Sequence, residues 1–258
     1  MKPTRWPILV AICAGCTLAG MGGLHAAETV VTADAAVVSA FVWRGQVYND
    51  EAVLEPALTV ERGGLTINVW GNLDLTDRND AGGRLTELDV TLGYGREVVA
   101  PLYLEAGVAV FTCPHAARLD DETFLGGGTT ELYVAAELDL LLQPSLTVSR
   151  DIDASDGLYA QLELGHELEL SPKATLQLGF SGGWGNADSN LFYFDVDGHA
   201  LNDGNLTVGL ALPLRQNVTV VPALTYTWLW DSAIESGALG LYGEKDLLWG
   251  GVTVSITL

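Results

Sequence analysis

The 258-residue sequence predicts an all-β chain folded as a single up-and-down antiparallel transmembrane β-barrel of about 12 strands. Three observations carry this prediction. Segments with strict apolar–polar alternation recur along the chain, short turns alternate with longer acidic loops between them, and the apolar face of many segments is Leu-rich and nearly unbroken. Successive side chains on a strand point to opposite faces, so each segment has one apolar and one polar side. Only helices and closed barrels satisfy every backbone group in lipid, and no segment beyond the N-terminus has the 18 or more apolar residues of a membrane helix.

At the N-terminus, Lys2 and Arg5 precede an apolar run over 7–18 and then Leu24, His25 and Ala26, the pattern of a secretory signal peptide cleaved after Ala26. The barrel is accordingly assigned to 27–258. A lipoprotein signal at Cys16 competes, but Cys13 rather than Leu stands three positions before it and the apolar run continues past it. With the signal removed Cys113 is the sole cysteine, so no intrachain disulfide can form.

The expected strands span 34–45, 52–61, 64–76, 84–96, 101–112, 129–142, 145–151, 157–170, 174–184, 204–212, 217–230 and 246–258. Strand 64–76 is the clearest: Leu65, Ile67, Val69, Gly71, Leu73 and Leu75 alternate with Thr66, Asn68, Trp70, Asn72, Asp74 and Thr76. Short turns centre on Gly63, Val98, Pro144, Pro172 and Gln216, and longer connections on Tyr48, Asn79, Arg118, Ala154, Val196 and Gly237. In an outer-membrane barrel the short turns are periplasmic, which places both chain ends on that side. Pro222 falls inside an otherwise regular strand and cannot donate a ladder hydrogen bond, so a local bulge is expected there.

A soluble exported β protein would show the same alternation with its apolar face turned inward. The membrane reading is favoured by the uniform Leu-rich face, by Trp184, Trp228 and Trp230 at loop ends of that face as an aromatic girdle, and by a final strand that stays apolar to Leu258.

Charge then distinguishes the two faces. The chain carries 12 Lys plus Arg against 33 Asp plus Glu, a net −21, and loss of Lys2 and Arg5 takes it to −23. Such a field repels nucleic acid and favours cations. The face opposite the Leu-rich one collects Glu87, Asp89, Glu105, Glu131, Glu137, Asp139, Glu163, Glu167 and Glu169, while most basic residues sit at strand ends or turns. Unpartnered carboxylates are prohibitively costly to bury, so the lumen is expected to be hydrated and biased toward cations. The same carboxylates could instead form a hydrogen-bonded plug with Tyr103, Tyr133, Tyr159 and Arg44, because about 12 strands lies between filled and open barrels.

Other constellations carry less. His166 lies on an apolar face between Leu164 and Leu168 without a hydroxyl nucleophile, which argues against an enzyme. Asp151, Asp153 and Asp156, or Asp195, Asp197, Asn202 and Asp203, are acidic loops for weak divalent-cation binding (Ca2+ or Mg2+), although the first lacks EF-hand spacing; no tightly held cofactor is expected. Cys113-Pro114-His115 offers only two ligands and reads as structural.

The stretch from Ala40 to Gln46 containing Trp43, Arg44 and Gly45, then Leu54-Glu55-Pro56-Ala57-Leu58, then 64–72 with Trp70 and Asn72, resembles the TorF-type family of porin-like proteins. The resemblance covers the first three strands and implies a bacterial outer-membrane protein, without assigning a role to Trp43, Arg44, Gly45, Trp70 or Asn72. Glu55 and Glu61 depart from the family's less acidic second strand.

Together these readings point to a passive outer-membrane channel with an acidic, cation-biased lumen for small solutes. The alternatives are a non-conducting surface barrel whose acidic loops bind partners or divalent cations, and a soluble exported β protein. The expected partners are outer-membrane lipid, small solutes or cations, and the outer-membrane assembly machinery during biogenesis, with no nucleic acid.

Overall fold

The computed structural model describes residues 28–79, 82–114 and 128–258; the signal peptide over 1–26, Arg118 and His115 lie outside them. Twelve strands close an antiparallel barrel. They are β1 (Val30–Val38), β4 (Val53–Arg62), β5 (Leu65–Asp74), β6 (Leu85–Val99), β7 (Leu102–Thr112), β8 (Thr129–Leu138), β9 (Ser145–Asp151), β10 (Leu158–Ser171), β11 (Ala174–Gly185), β12 (Ala200–Arg215), β13 (Val218–Leu229) and β14 (Asp246–Thr257). Each pairs with its neighbours in sequence around the ring, and β1 closes it against β14 with Val37 opposite Val252. Closure gives every wall strand a neighbour on both sides.

The alternation sets inside and outside. On β5, Leu65, Ile67 and Val69 are exposed on the exterior, while Asn68, Trp70, Asn72 and Asp74 are buried toward the axis. The same parity holds on β8, where Val134 is 57% exposed and its neighbours Tyr133 and Ala135 are 5% and 2% exposed. The exterior therefore carries a continuous apolar surface that includes Leu206, Leu224 and Leu248.

The wall departs from the expected strands at four places. First, the chain leaves the wall after Val38 and does not continue as a strand to residue 45. Instead β2 (Phe41–Trp43) and β3 (Gln46–Asn49) form a separate two-stranded hairpin, whose Ala40, Phe41, Val42 and Val47 pack with Ala36, Val38, Val53, Trp70 and Trp249 of the wall. The physical reason is that Ala40, Phe41, Val42 and Trp43 are apolar on both parities, which suits a segment buried on both faces.

Second, β8 stops at Leu138 rather than at residue 142. The Leu138 N–H donates to the Pro144 carbonyl at 2.9 Å, Gln143 takes a positive φ of 41°, and Pro144 has no N–H to continue the ladder. Asp139 and Leu140 thus belong to a short turn.

Third, Pro222 causes no register shift. It faces outward opposite Val252, and the β12–β13 ladder keeps one register from Gly209–Ala223 to Leu212–Val220 across it.

Fourth, two of the longer loops are helical: α1 (Ala187–Phe194) and α2 (Ser232–Leu241). Asn186 caps α1, its Oδ1 accepting from Ser189 N at 3.0 Å, and Asp231 caps α2 by accepting from Ala233 N at 2.8 Å. Both helices pack inward through Tyr193, Phe194, Ile234 and Ala238 with Leu229 of β13.

Candidate functional site

The hairpin and both helices sit inside the long-loop half of the barrel, where their apolar side chains pack, and the short-turn half is lined by polar side chains. The hairpin turns on two residues, Arg44 and Gly45, with φ of 49° and 79°, the two positive values of a tight hairpin turn. Gly45 is required there: a Cβ would stand 2.5 Å from Leu229 Cδ2 and 2.9 Å from Asp203 Cβ.

Arg44 extends from this tip to the opposite wall. Its Nη1 and Nη2 donate to Glu131 Oε1 and Oε2 on β8 at 2.7 and 2.8 Å. The guanidinium also lies 4.2 Å from the ring centroids of both Trp43 and Tyr159. Burial works against its charge, but the Glu131 carboxylate outweighs that and raises the guanidinium above its ordinary value. A fork-shaped cation between two rings and a carboxylate is fixed in direction as well as charge. Beside it, Tyr159 donates to Asp203 Oδ1 at 2.6 Å.

Around this pair the hairpin is held by rings. Trp43 meets Phe111 of β7 and Tyr193 of α1, and Phe41 meets Trp70 of β5. Tyr48 OH donates to Gln46 Oε1 at 2.6 Å, and Tyr242 OH, just past α2, lies 2.8 Å from the same oxygen. Burial holds both phenols above their ordinary range, so they stay neutral donors. The segments quoted for the family resemblance are therefore one unit, the hairpin tip and its seat: Trp70 packs under Phe41, and Asn72 Nδ2 donates to Thr86 Oγ1 at 2.6 Å.

The inward carboxylates divide into two groups. Toward the short-turn end, neutral donors satisfy them: Tyr133 OH donates to Glu105 at 2.6 Å, Gln161 Nε2 to Glu163 at 2.9 Å, and Gln177 Nε2 to Glu167 at 2.9 Å. Glu137 faces the interior near the end of β8, whereas Asp139 has left the wall and Glu169 is exposed at the end of β10. Alongside the hairpin stand Glu55, Glu87 and Asp89; Glu55 and Asp89 are 4% and 3% exposed, Glu55 Oε1 lacks a hydrogen-bond donor among the described residues, and the carboxyls of Glu87 and Asp89 hydrogen-bond to each other. Of the ion pairs between described residues, Arg44–Glu131 alone lies inside; those of Arg78, Arg150 and Lys245 are at exposed positions.

The remaining sequence candidates fall elsewhere. Trp228 contacts Phe180, Tyr226 and Trp230 on the exterior of β11–β13, and Trp184 stacks on His199. In the first acidic loop Asp151 Oδ1 accepts from Thr129 Oγ1, Asp153 N and Ala154 N, which closes the loop, while Asp153 and Asp156 are exposed. Asp203 and Asn202 are buried in the barrel, away from exposed Asp195 and Asp197. Among the described residues no three His, Cys, Asp or Glu side chains converge to hold a metal ion. His166 Nδ1 lies 3.1 Å from the Leu141 carbonyl at the short-turn end.

Sequence reasoning missed the residues of the loops that turn inward, chiefly Tyr48, Asn49 and Tyr193. A signal was available at two of them. Arg44-Gly45 separates two apolar runs as a tight turn does, and Asp231 followed by Ser232, Ala233, Ile234 and Glu235 reads as a capped helix start.

The barrel resembles solved outer-membrane proteins in fold. It superposes on the NanC porin with a TM-score of 0.52 at 12% identity, covering 88% of this chain and 100% of that one. The KdgM porin gives 0.51 at 8% identity over 89% and 98% of the two chains. The COG4313 outer membrane channel from Pseudomonas putida F1 gives 0.50 at 13% identity over 92% and 97%. No curated protein matches the sequence. The family model of Gcw_chp matches residues 24–212, most of the chain, and the protein is thus a member of the Gcw_chp family, bacterial proteins of unknown function.

Proposed function

We propose that this protein is a porin-like channel of the outer membrane, with an acidic lumen that favours small cations and an outer half narrowed by the β2–β3 hairpin. The observation that carries the proposal is the charge balance inside. Glu105, Glu163, Glu167 and the Glu87–Asp89 pair face inward without a basic partner among the described residues, and the internal guanidinium of Arg44 is already spent on Glu131. An excess of fixed negative charge in a low-dielectric wall attracts cations and repels anions. Passage would follow the side of the hairpin on which Asp74, Glu87 and Asp89 stand.

The apolar exterior supports placement in lipid, with Trp228 and Trp230 at the long-loop rim as part of an aromatic girdle. The porin likeness in fold, the TorF-type resemblance and the export signal agree with delivery to the outer membrane by its assembly machinery. Recovery of the mature chain in the periplasmic fraction without detergent, or a lack of heat-modifiable gel mobility, would remove that placement.

A specific observation favours a second reading, a non-conducting barrel. The hairpin, α1 and α2 bury Phe194, Ile234 and Ala238 to 1% exposure or less within the outer half. Planar-bilayer recording separates the two. The channel reading expects small unitary conductances and, in a KCl gradient, a reversal potential on the potassium side. No channel events at any ionic strength would leave the plugged barrel, and a chloride-side reversal would remove the cation bias.

A further inference from the structure

Between the hairpin and the wall formed by β5–β8 lies a cleft with space for a few water-sized molecules, about 50 Å³. Its apolar lining is aromatic: Phe41, Trp43 and Tyr48 from the hairpin, Phe111 from β7 and Tyr193 from α1. Its polar lining includes Asp74, Glu87 and Asn49. We propose that this cleft is a binding site for a small organic cation that also carries an oxygen acceptor, of the amino-alcohol class.

The charge follows from the carboxylates. Asp74 is satisfied by Asn72, Asn79 and Thr86, but Glu87 has no basic partner among the described residues. Asp89 stands behind it on the same inward face of β6, and the two carboxyls hydrogen-bond to each other through one proton, so the pair presents a single negative charge. A carboxylate held in a ring-lined recess is complementary to a cation, because the ring faces add their own attraction and exclude competing water. The molecule supplies an internal precedent one strand pair away, where the Arg44 guanidinium lies between the Trp43 and Tyr159 rings and the Glu131 carboxylate. The cleft repeats those ingredients, rings and an acid, with the cation left to come from outside.

The acceptor follows from Asn49. Its side chain is 2% exposed and its Oδ1 accepts from Glu51 N at 2.8 Å, which fixes the other atom as the amide nitrogen. That Nδ2 has no acceptor among the described residues. A buried donor lining a cleft is satisfied by an oxygen of the ligand, and an ammonium alone would leave it unpaired. A neutral sugar would suit the rings and Asn49 but gain nothing from the charge of Glu87.

The inference goes beyond channel function, because binding does not require conduction. It is tested on the full mature protein in detergent by titration calorimetry with choline and with 3,3-dimethylbutan-1-ol, which has the same shape without the charge. Choline should bind saturably and its neutral isostere about tenfold more weakly or worse. Glu87→Gln, its folding verified by heat-modifiable mobility, should weaken choline about tenfold and leave the isostere unchanged. Equal binding of the two ligands by the wild type overturns the proposal, as does saturable binding of neither choline nor ethanolamine, or choline binding untouched in folded Glu87→Gln. A protein that conducts cations in bilayers but binds neither amine loses this site and keeps the channel reading. One that binds choline without conducting does the reverse.

Discussion

Replacing Arg44 by Met should release the hairpin from the lumen, and the size of the effect can be worked from its contacts. The guanidinium makes two charge-assisted hydrogen bonds of 2.7 and 2.8 Å to Glu131, with side-chain exposures of 13% and 4% for the two partners. Removing one partner of such a pair costs about 3–5 kcal/mol, mainly because the remaining carboxylate is stranded away from water. The Trp43 and Tyr159 ring contacts each add roughly 0.5–1 kcal/mol. Undocking of the hairpin would let water reach Glu131, so the free energy of docking itself caps the loss; about 3 kcal/mol is expected. Urea unfolding of the refolded protein, followed by tryptophan fluorescence, measures it. The informative control is Arg44→Met with Glu131→Gln, which removes the stranded charge and should recover at least half of the loss. Protease should cut within 39–52 in the single variant and spare the double. A single variant within about 0.5 kcal/mol of wild type, a change typical of surface sites, would refute the latch, and so would a double variant no more stable than the single.

Three further outcomes test other parts of the fold. Gly45→Ala places a methyl group within contact of Leu229 and Asp203 at a positive φ and should lower stability by roughly 1–3 kcal/mol in the same urea assay, with conductance rising if the displaced hairpin opens the lumen. Asn186→Ala removes the cap of α1 and the acceptor for Leu158 N at 2.8 Å, and should cost about 1 kcal/mol; an unchanged urea midpoint would show that α1 does not depend on its cap. Val134→Arg puts a charge on the exterior of β8 and should cost roughly 2–4 kcal/mol for folding into bilayers, much more than the same change costs in detergent. Equal costs in the two media would place that face away from hydrocarbon.

Much of the wall was legible because its rule is local. On β5 a two-residue period sends Leu65, Ile67 and Val69 one way and Asn68, Trp70 and Asn72 the other, and no contact with the rest of the chain is needed to read it. Even the seven-residue strand β9 falls at the expected positions, 145–151. The errors came where a segment is buried on both sides. Ala40 through Trp43 is apolar at every position, and read alone it extends a wall strand; only the space inside the closed barrel offers it a second apolar surface. Pro222 misled for a related reason. Its missing N–H suggested a bulge, but the continuous β13–β14 pairing keeps the strand in register.

The candidate site divides along the same line. The sequence by itself determined the strand faces, the count of about twelve strands and the alternation of short turns with longer loops, since all of these follow from periodicity and turn composition. It also singled out Trp43, Arg44 and Gly45 by resemblance, without a reason for them. Only the tertiary structure decided that these three form the tip of a hairpin inside the barrel, that Arg44 spends its charge on Glu131, 87 residues away, and that Glu87 and Asn49 border one cleft. Those pairings depend on which wall residues the closed ring sets opposite the hairpin, and ring closure is a property of all twelve strands at once rather than of any one of them.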